Sequence, residues 1–235
     1  MKFLDDRLTW LHIARIFEII HQNKKTMAQF NPQKDRLAVV IKDFTLQKKS
    51  EIFFDRYSEP YIISLAVDES RATHAEIDFN VLPFPNVRKG DTVSFDGQGH
   101  LIYGPKNPGS FLAYSVLFME SDKDVREFAE MLEGIIDSEA AKIGVKAMIA
   151  AAPTHSVAIT ALQKLSEEIV IRLQKNKDDL LFRRSGTLLR GVTPPYDILR
   201  TYTSSNEFIK TNIRIVPLNS SNNLGEQPKP RQLKD

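Results

Sequence analysis

The feature that most limits what this chain can fold into is a hydrophobic period that changes twice. From residue 37 to 119 the apolar residues alternate or run in short β-rich blocks, from 122 to 176 they recur at helical spacing, and from 180 to 218 the strand pattern returns. A helical block between two strand-rich stretches is what an insertion into a β-sandwich produces. The expected fold is therefore mainly β, of the α+β class: an antiparallel sandwich over about 36–218 with a helical excursion at about 122–177.

The strands are read from their composition and period. Residues 37–46 (LAVVIKDFTL) and 61–67 (YIISLAV) are β-branched and aromatic, and 73–81 alternates Ala75, Ile77 and Phe79 with His74, Glu76 and Asp78. Asp96-Gly97-Gln98-Gly99 between 92–96 and 100–103 predicts a tight hairpin. The run 111–119 (FLAYSVLFM) predicts a central strand, and 180–189 and 208–218 complete the set. Within the block of different period, helices are predicted over 122–137, over 138–152 up to Pro153, and over 156–176. An N-terminal amphipathic helix is expected over 4–20, with Leu4, Leu8, Leu11, Ile16, Phe17 and Ile20 on its stripe. The whole segment 1–35 then reads as helix and linker, and 219–235 as a polar, disordered tail.

Composition removes several function classes. The chain has 235 residues and no cysteine, so disulfides, thiolate metal sites and cysteine nucleophiles are excluded. A net charge of +2 with no long basic run gives a nucleic-acid partner no support. Asp5 and Asp6 stand where a secretory signal carries positive charge, and His12, Arg15 and Glu18 break the apolar stretch, so the expectation is a cytoplasmic protein without a membrane span.

Two stretches carry a resemblance. Asp55-Arg56-Tyr57-Ser58-Glu59-Pro60-Tyr61 follows one strand and enters another, and Leu117-Phe118-Met119-Glu120-Ser121-Asp122 is followed by Glu127-Phe128. These are similar to the first and third loops of the C2 domains, a family of calcium- and lipid-binding β-sandwiches. The resemblance implies calcium ligands at Asp55, Glu59, Glu120, Asp122 and Glu127, with Asp124 as an extra acid. Calcium takes six to eight oxygens, which carboxylates from two loops can supply. The sequence departs from the family in carrying Glu at three matched positions, and in the helical block that follows the third loop at once.

Plainer readings stand beside these. Ser121 with the acids after it suits the start of a helix. His74, Glu76 and Asp78 read as a solvated polar face rather than a metal row. His155-Ser156 has no Gly-x-Ser-x-Gly elbow, and Gly97-Gln98-Gly99 lacks the third glycine of a dinucleotide loop. Arg183 and Arg184 are adjacent strand residues, expected to point to opposite faces and serve as solvated edge charge. The function expected is a non-enzymatic, C2-like binding module, calcium-linked or not, attaching to a membrane surface or protein partner. The rival is an assembly protein, a homo-oligomer using its helices for subunit contacts.

Overall fold

The computed structural model describes residues 30–48, 58–84, 86–121, 128–175, 177–218 and 229–232. Ten strands run in chain order: β1 (Arg36–Leu46), β2 (Pro60–Asp68), β3 (Glu76–Pro83), β4 (Thr92–Ser94), β5 (His100–Lys106), β6 (Phe111–Glu120), β7 (Asp179–Leu189), β8 (Thr201–Ser205), β9 (Ile209–Leu218) and β10 (Lys229–Gln232). Between them lie α1 (Glu69–His74), α2 (Phe128–Lys142), α3 (Val145–Ala151) and α4 (His155–Gln174). All strand pairing is antiparallel. One sheet has the order β4-β1-β9-β8 with β5 also on β1, and the other β10-β3-β2-β6-β7.

Alternation along the strands explains why two sheets and a helical layer form together. In β6 the odd residues Phe111, Ala113, Leu117 and Met119 pack against α2, α3 and α4, while Leu112, Tyr114, Val116 and Phe118 face the first sheet. Buried on both faces, this strand reads as a continuous apolar run, as a middle-layer strand must. The first sheet supplies Leu37, Val39, Ile41 and Phe44 from β1 and Ile209, Ile213 and Ile215 from β9 to the core between the sheets. The helices supply Leu132, Ile136, Ile149, Leu162, Leu165, Ile169 and Leu173 to the second core. A hydroxyl seam crosses that second core: Ser166 of α4 bonds Ser115 at 2.8 Å, and Ser185 of β7 bonds it at 3.0 Å.

The helical block leaves β6 and returns into β7, its direct neighbour, so the excursion lies between two paired strands as the period predicts. Its internal boundary differs from expectation. The first described helix runs on to Lys142, and the break falls at Gly144, whose φ of +66° suits glycine and ends the helical path before α3. α4 begins one residue earlier than predicted, with Thr154 as its cap: its hydroxyl accepts from the Val157 N–H at 3.4 Å.

Three further corrections concern strands. β4 and β5 do not form a hairpin with each other; both pair with β1, at Thr45↔Thr92 and Ile41↔His100. The glycine-containing stretch between them is an excursion in one edge strand, pinned by the Phe95 N–H on the Lys42 carbonyl at 3.1 Å. Gly99 has φ +117°, and a Cβ there would come within 2.5 Å of the Ile41 carbonyl oxygen, so glycine is required by close approach to β1. His74 is not on a strand but ends α1. The tail expected to be disordered from 219 contributes β10, which pairs Lys229↔Phe79 through Gln232↔Glu76. An edge strand needs only backbone groups, so polar and proline-containing sequence can supply it. The amphipathic helix expected over 4–20 lies outside the described residues.

Candidate functional site

β2, β6 and β7 build the end of the second sheet to which the C2-like motifs belong. β2 enters this end from Glu59 and β6 leaves it at Glu120, and the register sets Pro60 opposite Glu120 and Glu120 opposite Asp179. The Ser121 N–H reaches the Glu59 carbonyl at 3.4 Å, so the two chain segments are side by side here. Glu120 and Asp179 stand directly opposite in the register of the sheet.

Alternation distributes the acids over both faces. Glu120 follows Phe118 toward the gap between the sheets, whereas Tyr61 and Met119 point toward the helices. On that helix side the Tyr61 hydroxyl donates to Asp178 Oδ2 at 3.0 Å, with both residues buried. Burial, reinforced by the charge of Asp178, pushes the Tyr61 phenol far above its ordinary range. Of the five acids read from sequence, Glu59 and Glu120 are thus brought together, while Asp55, Asp122 and Glu127 lie outside the described residues, as does Asp124. Asp178 and Asp179 belong to the same end and were not anticipated. Among the described residues, no group of three histidines or acids forms a set able to hold a metal.

The opposite end of β2 holds a second charged centre, and here the expectation of a solvated polar face over His74, Glu76 and Asp78 fails at Asp78, while His74 is exposed. Asp68 is 0% exposed and Asp78 is 2% exposed. Asp68 Oδ1 caps α1 by accepting the Arg71 N–H at 2.7 Å, and its Oδ2 accepts from the Tyr103 hydroxyl and from Lys106 Nζ, both at 2.8 Å. The same Lys106 ammonium binds Asp78 Oδ2 at 2.6 Å, and Arg71 Nε binds Asp78 Oδ1 at 2.9 Å while its fork reaches Glu76. Asp78 alternates with Ile77 and Phe79 as read, but its face is closed over by β5, where Lys106 neutralises it. Burial still raises the Asp78 carboxyl, with Lys106 and Arg71 pulling the other way. His74, the third residue of that row, turns its Nδ1 to the Ser70 carbonyl at 2.8 Å within α1.

The layers and register define an antiparallel β-sandwich of the α+β class with a helical layer on one sheet. No family model matches the chain, and no curated protein does. A solved structure of human GIVD cytosolic phospholipase A2, in complex with a methyl gamma-linolenyl fluorophosphonate inhibitor and terbium chloride, matches with TM-score 0.34 and 10% identity. The match covers 84% of this chain and 18% of the phospholipase chain. A likeness of that size assigns no residue a role. Among the described residues, no helix is long and apolar enough to cross a membrane.

Proposed function

We propose that this chain is a non-enzymatic binding module of C2-like type whose ligand end is the start of β2 and the finish of β6, and that calcium bound there links it to a membrane surface or protein partner. The observation that carries the reading is the register at this end. Glu120 is paired with Asp179 and the Ser121 N–H meets the Glu59 carbonyl, so the start of β2 and the finish of β6 lie side by side. Calcium takes six to eight oxygens, and acids carried by two neighbouring segments are able to supply several of them.

The test is thermal unfolding in millimolar calcium and in chelator, on the parent and on Asp122→Asn. Calcium at a hundredfold excess over its Kd is expected to stabilise the parent by about 2.7 kcal/mol, and Asp122→Asn should lose most of that gain. Equal melting in both conditions would sink the calcium reading. Concentration-dependent self-association that ignores calcium would favour the assembly role instead.

A further inference from the structure

We infer that the open flank of the sandwich, where β7 edges one sheet and β8 the other, is a binding site for a phosphate-bearing anion, with Arg184 as its principal ligand and Arg200 as the second cation. Arg184 lies opposite Val116 in the register and so points inward, into the gap between the two edge strands. Its guanidinium carbon stands 4.8 Å from the centroid of the Tyr202 ring, and that of Arg200 stands at the same distance from the same ring. Stacking uses the face of a guanidinium and none of its in-plane donors. Arg184 Nε is buried and meets no acceptor.

The surroundings argue that this donor awaits a ligand. Asp197, on the hydroxyl of the same ring, is already engaged: it accepts from the Tyr202 hydroxyl and pairs with Arg200 at 3.6 Å. Arg200 is 61% exposed and its charge is paired with Asp197, so among the described residues Arg184 brings a positive charge to the gap with no ion-pair partner. Asn206 ties the two edges together by donating to the Leu181 carbonyl at 2.7 Å, so the spacing of β7 and β8 is held without any ligand. The next inward position on β7 is Gly186, where the Tyr114 hydroxyl would lie 2.9 Å from a Cβ, so a phenol covers the strand one inward position on from Arg184. Neighbouring Arg183 behaves differently: it points to the helical side and pairs with Glu167 of α4 at 3.3 Å. A planar fork with unmade donors, backed by an aromatic ring, suits a tetrahedral phosphate better than a point cation does. The phosphate could belong to a free small molecule or to a lipid headgroup, and the chemistry of recognition is shared.

The experiment uses the full chain in chelator, so that the calcium end takes no part. Binding of inorganic phosphate at constant ionic strength is followed by calorimetry and by the arginine Nε–H resonances. Sedimentation is followed with phosphatidylcholine vesicles, with and without phosphatidic acid. Saturable binding is expected, with the Arg184 Nε–H signal moving as the site fills. Affinity should fall by about tenfold or more in R184Q and in R184K, less in R200Q, and not in R183Q. The variant pattern seen with inorganic phosphate supports the site with a soluble ligand, and the same pattern seen only with phosphatidic acid vesicles supports it with a headgroup. No saturable binding of either probe, or equal weakening by R183Q and R184Q, overturns it.

Discussion

Lys106→Met is expected to destabilise the fold by about 3–5 kcal/mol, because it removes the cation shared by two buried carboxylates. Lys106 Nζ lies 2.8 Å from Asp68 Oδ2 and 2.6 Å from Asp78 Oδ2. Without it, Asp78 retains Arg71 and Asp68 retains the Tyr103 hydroxyl, but two negative charges face each other away from water. The native state of the variant should then hold a proton on Asp78, which burial already raises and Lys106 no longer lowers, more tightly than the unfolded chain does. Its deficit relative to the parent therefore shrinks as pH falls and is largest above the raised carboxyl range. Urea unfolding of both proteins at neutral and acidic pH measures this. Lys48→Met is the control: its partner Glu207 and Lys48 itself are 62% and 54% exposed, so the loss should stay below about 1 kcal/mol. Equal effects of the two substitutions would refute the network's structural role.

Phe118→Ala is expected to cost about 3–5 kcal/mol through the cavity it leaves. Phe118 is fully buried in β6 and faces the first sheet. Its ring meets Phe44 of β1 edge-on at 5.4 Å and Phe182 of β7 at 5.9 Å, so it joins three strands across the two sheets. Neither neighbour can collapse into the void without breaking its own contacts. Ile171→Ala provides the comparison, since Ile171 of α4 is 47% exposed and should change stability by less than about 0.5 kcal/mol. Equilibrium unfolding by denaturant resolves a difference of that size.

Legibility of the fold followed the burial of each element. Ile209, Thr211, Ile213 and Ile215 alternate because β9 has one face on the core, and β6 reads as a continuous run because it has two. β8 escaped notice because the half-buried positions of TYTSS are Tyr202 and Ser204, which gives no apolar period. α1 gave no signal between the strands read over 61–67 and 73–81, and its last two residues fell in the second of them, since its start depends on the side chain of Asp68 rather than on hydrophobic spacing. The hairpin reading of Gly97 and Gly99 failed because the positive φ of Gly99 serves a close approach to β1 rather than a turn joining two paired strands.

The candidate site divides along similar lines. Glu59 and Glu120 were legible because each adjoins the end of a strongly apolar strand. Asp178 and Asp179 were not, because they reach this end only after the whole helical excursion, through a register that no local pattern encodes. Arg184 was expected at a solvated edge. Its inward direction follows from pairing with Val116, and its ring partner comes from a strand in the other sheet.

Hydrogen exchange with and without calcium tests the central claim most directly, because it reports where a ligand acts as well as whether one binds. The account predicts added protection in peptides spanning residues 55–61, 118–128 and 178–181, with none around Asp68, Asp78 and Lys106 at the far end of β2. Protection that is absent, or that falls at the Lys106 end instead, would contradict it.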